Sequence, residues 1–165
     1  MAGFLDSFRK KVVESIYKEK PDLPKVKDED INDTIALGVL MLIVAKSDQM
    51  FLTIELDKIK DVLSIHAGVP DEKMPYVLAT IRQAEKERVD FWRFTRELDK
   101  DLPYEHKLPI LEILLRVATV DKDLSDDEIY MLHRIAKVFG IYNEDFKVLL
   151  EKARKTIPPQ SKGIV

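Results

Sequence analysis

The sequence of 165 residues contains no cysteine, only 5 glycines and a single tryptophan. Without cysteine the chain can form no disulfide, no thiolate metal site and no cysteine nucleophile. The scarcity of glycine, together with 45% hydrophobic and 35% charged residues, favours helices with solvated outer faces over a sheet-rich fold. The longest apolar run, residues 35–45, is shorter than the ~18 residues of a membrane span. That run therefore predicts a buried central helix.

The charge balance narrows the range of partners. The chain has 27 basic and 30 acidic residues, a net charge of -3, which provides no strong field for nucleic acid. We therefore expect a protein partner and no nucleic-acid partner. Charged residues interrupt the apolar positions near the N-terminus, unlike the core of a signal peptide, and together with the lack of cysteine this predicts a cytoplasmic protein.

The chain divides into three predicted segments. Residues 1–27 are predicted to be an amphipathic helix followed by a proline-containing linker, because Pro21 and Pro24 disfavour a continuing helix. Residues 28–156 form the predicted main domain, and residues 157–165 form a predicted flexible tail.

The first of these helices has an apolar residue at every fourth position, at Phe4, Phe8, Val12 and Ile16. Two interpretations remain open. The helix either packs this stripe onto the domain, which its short length favours, or makes peripheral membrane contact through residues 4–17, with basic residues near the headgroups.

Helical periodicity dominates the rest of the sequence, and no segment predicts a strand. The predicted helices span residues 30–46, 53–66, 74–87, 90–100, 104–120, 126–139 and 143–156. The fold class is therefore predicted to be all-α, a compact bundle of about seven to eight helices.

The bundle is predicted to consist of two pseudo-repeated halves. The pattern Ala45-x-x-Asp48-x-x-Phe51-x-x-x-Glu55 returns as Ala118-x-x-Asp121-x-x-Leu124-x-x-x-Glu128. In each half an apolar helix precedes this acidic turn and two further helices follow it. Gly68 and Gly140 end equivalent helices, as expected for residues just beyond a helix C-terminus.

The two turns, together with the segment of residues 89–128, resemble the TerB-like family, which includes tellurite-resistance TerB proteins and the N-terminal region of the DjlA co-chaperones. The resemblance covers about residues 30–155 and rests on a repeated Ala-x-x-Asp-Gly-x-[Ile/Leu]-x-x-x-Glu turn. This chain has Gln49 and Lys122 where the family usually has Gly. The resemblance implies a helical domain linked to tellurite or general stress response, with divalent-cation binding at acidic residues and no established catalysis.

The second acidic turn concentrates five carboxylates between Asp121 and Glu128, which suits hard cations such as Ca²⁺ or Mg²⁺ better than Zn²⁺. Helix capping alone is the favoured interpretation, because Ser125-x-x-Glu128 is a capping-box pattern. The candidate metal ligands are Asp48, Glu55, Asp121, Asp123 and Glu128. If the halves pack about a pseudo-twofold axis, ligands from both turns are expected to converge on one site.

No pattern in the sequence predicts catalysis. His66, His106 and His133 lack the spacing of a zinc site, so each is interpreted as a surface or capping residue. The sequence has neither a nucleophile elbow nor a glycine-rich phosphate loop. We therefore predict that the protein is not an enzyme. A metal-dependent enzyme that uses the acidic turns is the weakest alternative.

A surface for a partner is predicted at Arg88, Trp92 and Arg96, which are spaced to share one helix face. Tryptophan and arginine are favoured at the centres of protein interfaces. In the alternative interpretation, Trp92 is partly buried and stacks on the aliphatic parts of the arginine side chains. Judged on these residues alone, this second interpretation is favoured.

The functional prediction is a non-enzymatic TerB-like interaction module in bacterial stress or tellurite response that binds a divalent cation at its acidic turns. The alternative is a structural or co-chaperone-like scaffold whose acidic turns only cap helices. The sequence does not define the oligomeric state.

Overall fold

Eight α-helices form the part of the chain that the computed structural model describes, residues 2–23, 27–47, 56–120 and 123–155. They are α1 (Ala2–Glu19), α2 (Asp28–Ser47), α3 (Leu56–Asp61), α4 (Met74–Glu87), α5 (Phe91–Asp101), α6 (Tyr104–Ala118), α7 (Asp126–Val138) and α8 (Asn143–Lys155). A π-helical turn at Val62–His66, which we did not predict, continues α3. No strand occurs in these residues, and the all-α prediction is confirmed. The division into two pseudo-repeated halves stays a prediction.

Helix α2 lies at the centre of the bundle, as its apolar run predicts. Every residue from Ile35 to Ala45 is buried, and several of the side chains are fully inaccessible to solvent. Helices α1, α4, α5, α6 and α7 all pack against α2. A helix that is apolar on every side gains stability only when neighbours cover all of it, so α2 sets the positions of the other helices.

Helix α4 approaches α2 closely at Gly38. A side chain at this position would place its Cβ 2.7 Å from Thr80 Cγ2 and 3.1 Å from the Val77 carbonyl oxygen. Thr80 is fully buried, and its hydroxyl donates a 2.7 Å hydrogen bond to the Tyr76 carbonyl. The absence of a side chain at Gly38 therefore lets the two helices touch.

A buried ion pair fixes the corner between α5, α6 and the loop before α8. Lys107 is only 5% exposed and pairs with Asp99, while its ammonium nitrogen lies 5.6 Å from the Phe139 ring centroid. Gly140 packs against Asp99 and has a positive φ of 79°, and Gly68 likewise has a positive φ of 69°. The prediction that both glycines follow helix ends is confirmed, since left-handed geometry there favours glycine.

Helix α1 packs its apolar stripe into the same core. Phe8, Val12 and Ile16 are buried, and the rings of Phe8 and Phe94 meet edge to face with centroids 4.8 Å apart. The Tyr17 and Tyr76 hydroxyls lie 3.0 Å apart and link α1 to α4. Packing onto the domain is thus confirmed for these residues. The predicted main domain starts at residue 28 and so does not include α1, whereas α1 contributes side chains to the same core.

The alternative of membrane contact through residues 4–17 conflicts with this packing, because the apolar side chains at positions 8, 12 and 16 face the protein. The side chain of Phe4 lies outside the described residues. None of the helices in the described part of the chain combines the length and apolarity needed to cross a membrane.

We predict that Gly38→Ala lowers the free energy of unfolding by ~1–3 kcal/mol, because the added methyl group overlaps Thr80 and forces α2 and α4 apart. Chemical denaturation of the purified chain measures this change. The matched control is Gly3→Ala in α1, where an added Cβ meets no atom within 4 Å and stability should stay the same or rise slightly. A Gly38→Ala variant as stable as the parent chain would show that the helices are not in close contact here.

Candidate functional site

The first acidic turn lies outside the described residues, and so does part of the second. Asp48 and Glu55 fall between residues 47 and 56, and Asp121 falls in the gap after residue 120. The predicted convergence of both turns on one cation stays a prediction for that reason. Asp123 and Glu128 are the two predicted ligands whose positions the structure describes.

Glu128 belongs to the capping box at the start of α7, which confirms that prediction. The Ser125 hydroxyl accepts a 3.2 Å hydrogen bond from the Glu128 amide, and Glu128 Oε1 accepts a 2.8 Å hydrogen bond from the Ser125 amide. These bonds satisfy two amides that a helix start otherwise leaves without partners. Glu128 therefore has a structural role in this conformation.

Asp123 also has protein partners. Its Oδ1 accepts hydrogen bonds from the Leu124 amide at 2.8 Å and from Arg154 Nε at 3.1 Å. The Asp123 side chain is nevertheless 61% exposed, and exposed ion pairs contribute at most ~1 kcal/mol. In the described part of the chain, no three His, Cys, Asp or Glu side chains group in a way that could hold a metal ion.

The C-terminal half of α8 is held in place beside this turn by a second set of ion pairs. Glu112 of α6 accepts hydrogen bonds from Lys152 at 2.8 Å and from Arg116 at 3.0 Å. The Lys152 contact is the main reason that the pKa of Glu112 lies below its ordinary value, although partial burial opposes the change. These contacts position Arg154 to reach Asp123.

The predicted partner surface has a different composition from the one expected. Trp92 is partly buried at the edge of the core, and Phe94 and Leu98 on another face of α5 are buried. Arg96 follows Trp92 by one helical turn and is exposed. The guanidinium carbon of Arg134, from α7, lies 4.1 Å from the Trp92 ring centroid.

Arg88 does not share this helix face, so that part of the sequence interpretation is wrong. It is the C-cap of α4, with left-handed backbone angles of φ 51° and ψ 48°. Helix α5 begins only at Phe91, after Asp90 accepts a 3.2 Å hydrogen bond from the Arg93 amide as the N-cap. The cap interrupts the helical spacing on which the prediction depended.

Arg134 replaces Arg88 as the arginine next to Trp92. No local spacing signal connects these two residues, because they belong to helices that are distant in sequence and meet only when α5 packs on α7. One turn before Arg134 on α7 stands Tyr130, which is 71% exposed. We call Trp92, Arg96, Tyr130 and Arg134 the Trp92 surface.

Three arginines at or near this surface have no acidic partner in the part of the chain that the structure describes. Among the described residues, Arg88, Arg96 and Arg134 form no ion pair with a carboxylate, whereas Arg9, Arg116 and Arg154 each do. A guanidinium group that has no carboxylate partner retains its full capacity for bidentate hydrogen bonding to one. The Trp92 surface is thus able to bind a carboxylate ligand.

A family comparison accounts for the helical pattern and the acidic turns. The model of the family described as Tellurite resistance protein TerB matches residues 34–151, which is more than half of the chain. The chain belongs to the TerB family. No curated protein matches, and no solved structure matches.

The TerB match covers the helices from α2 to α8. It begins within α2 and ends within α8, so it includes the Trp92 surface and both acidic turns but not α1. Helix α1 therefore completes the core of a TerB domain from outside the matched region.

The histidines divide into three environments. His66 is exposed, and His133 Nε2 lies 2.9 Å from Asn143 Oδ1 at the start of α8. His106 is partly buried and its Nδ1 lies 3.0 Å from Asp33 of α2, a contact between helices that the interpretation as a surface or capping residue did not include. The partner of His106 is on another helix, which sequence spacing does not reveal.

We predict that Ser125→Ala lowers the free energy of unfolding by ~0.5–2 kcal/mol, because the first turn of α7 loses its capping oxygen. Thermal or urea unfolding measures the loss. Ser7→Ala, at an exposed position within α1, is the matched control and should leave stability almost unchanged. Equal stabilities for the two variants would contradict a capping role for Ser125.

Proposed function

We propose that this member of the TerB family is a non-enzymatic interaction module that binds an acidic segment of a partner protein at the Trp92 surface. The observation that carries the proposal is the position of Arg134, stacked 4.1 Å from the centre of a half-buried tryptophan ring without a carboxylate partner among the described residues. The cellular setting that we propose, bacterial stress or tellurite response, follows from the family description.

The stacked geometry favours binding in two ways. The Trp92 ring restricts Arg134, so less conformational entropy is lost when its planar guanidinium group binds a carboxylate. The partly buried ring also provides apolar area next to the charge, a combination common among the few residues that dominate interface energies. Arg96 and the exposed ring of Tyr130 extend the same surface along α5 and α7.

The two arginines of the surface are suited to binding and offer no acid–base chemistry. Arginine stays protonated at every physiological pH, so it cannot exchange a proton as a general acid or base. TerB domains are also generally non-enzymatic modules. Both points support an interaction role, and the chain's net charge of -3 supports a protein partner over nucleic acid.

We predict that Arg96→Glu and Arg134→Glu each weaken binding of an acidic peptide by at least about tenfold, since each replaces attraction with repulsion. Isothermal titration calorimetry with a synthetic peptide rich in Asp and Glu and containing one Phe measures the affinity. Added salt should weaken binding to the parent chain.

The control for the change in net charge is Lys147→Glu, an exposed position on α8. It should bind the peptide with nearly the parent affinity. If all three variants lose affinity equally, binding reflects net charge alone and the Trp92 surface is not the site. If the parent chain prefers single-stranded nucleic acid to the peptide, the proposed partner class is wrong.

A second proposed function is divalent-cation binding at the acidic turn before α7. The observation that favours it is the exposure of Asp123, Asp126 and Asp127, whose carboxylates are accessible to solvent within one short segment. Arg154 pairs with Asp123 at the surface, where a weak ion pair can be displaced by Ca²⁺ or Mg²⁺. Asp48, Glu55 and Asp121 are the proposed additional ligands.

We predict that Arg154→Ala strengthens Ca²⁺ or Mg²⁺ binding several-fold, because it removes one cationic partner of Asp123, whereas Asp123→Asn weakens binding. Amide-resolved NMR titration of the full chain measures both effects, with Zn²⁺ as a comparison ion. If the titrations of both variants are indistinguishable from that of the parent chain, the proposed cation site is contradicted. The turn then has only its role in capping α7.

A further inference from the structure

A cleft between α2, the start of α4 and α6 lies apart from the acidic turns and the Trp92 surface. Its volume is about 340 Å³, within the range of small-molecule sites. Six apolar residues form most of its lining: Leu37, Pro70, Val77, Pro109, Ile110 and Ile113. Leu37, Val77 and Ile110 are buried and make a rigid apolar floor.

Charged side chains surround this floor. The cleft is also lined by Asp33, Lys73, Glu105 and His106. Asp30 lies near enough to Asp33 for its negative charge to raise the pKa of Asp33. The His106 Nδ1 atom lies 3.0 Å and 3.1 Å from the two Asp33 carboxylate oxygens. The carboxylates of Asp30, Asp33 and Glu105 lie at or near the cleft, against the side chains of Lys73 and His106, so the cleft has a negative balance even when His106 is protonated.

The Asp33 carboxylate is only partly compensated. Its side chain is 23% exposed, and burial raises its pKa above the ordinary value, whereas the contact with His106 and the charge of Lys73 lower it. Desolvation thus outweighs the compensation that the protein supplies. A further cation or hydrogen-bond donor at this carboxylate would stabilise its ionised form.

The backbone adds a further acceptor to the same side. Pro109 lies inside α6 and has no amide hydrogen, so the Glu105 carbonyl loses the donor that a regular helix would supply. Both residues line the cleft. Two residues with acceptor oxygens, Asp33 and Glu105, therefore border an apolar floor.

The geometry points to a binding site for a small organic cation, a protonated amine with an apolar body, which nothing in the family assignment describes. The apolar body packs on Leu37, Val77 and Ile110. The ammonium group donates hydrogen bonds to the Asp33 carboxylate and to the acceptors of Glu105. Lys73 also lines the cleft, and its ammonium group disfavours a second positive charge on the ligand.

The test compares three probes that share one apolar body: phenethylamine, phenethyl alcohol and phenylacetate. Each is titrated into the labelled full-length chain, and amide shifts at Leu37, Val77 and Ile110 report occupancy. We expect saturable shifts with the amine and an affinity about tenfold above that of the alcohol, the value of one charge-assisted hydrogen bond. Phenylacetate should bind most weakly.

Two variants locate the charge that selects the amine. Asp33→Asn should remove the preference for phenethylamine over phenethyl alcohol. Because Asp33 also holds His106, the exposed rim variant Glu105→Gln provides a second test that does not disturb this contact, with a several-fold loss expected for the amine only. Asp61→Asn, an exposed acid on α3 outside the cleft, is the matched control and should bind as the parent chain does.

Equal or tighter binding of the alcohol or of phenylacetate would overturn the proposal, and so would the absence of saturable shifts at the floor with every probe. An amine preference that survives in both Asp33→Asn and Glu105→Gln would also overturn it. Since the Trp92 surface takes no part in this experiment, failure here leaves the proposed interaction function untouched.

Discussion

The structure depends on the burial of α2 on all sides. Apolar side chains contribute roughly 1.5–3 kcal/mol each when fully buried, and α2 contains a continuous series of them from Ile35 to Ala45. This burial requires neighbours that fit closely, and Gly38 permits α4 to approach until Thr80 would touch any added side chain. With α4 fixed by this contact and α5 packed on α2, the position of Trp92 follows.

The functional surfaces lie at the borders of this core. Trp92 is partly buried because α5 turns Phe94 and Leu98 inward, and α7 then brings Arg134 over the remaining face of the ring. The cleft between α2, α4 and α6 has a similar origin, since α2 and α6 meet at Asp33 and His106. In both places a polar group extends from a rigid apolar support, which reduces the entropy lost on binding.

Local sequence signals predicted the helices and caps, which depend on residues that are close in the chain. They missed the contacts that form only through tertiary packing. Apolar periodicity predicted the bounds of α2 and of α4 to α8 to within two residues, and Ser125-x-x-Glu128 predicted the capping box. The N-cap at Asp90, which separates Arg88 from α5, is also a local signal, but the spacing of the arginines obscured it. Arg134 and the pairing of His106 with Asp33 join residues far apart in the chain, and no helical spacing relates them.

Trp92 is the only tryptophan in the chain, so its fluorescence reports directly on the proposed interface. The decisive measurement is the emission and acrylamide quenching of Trp92 before and after the acidic peptide is bound. If the peptide covers the Trp92 surface, the emission should shift to shorter wavelength and quenching should fall, because water and acrylamide lose access to the ring. Saturable peptide binding that leaves both quantities unchanged would place the interface elsewhere and contradict the account.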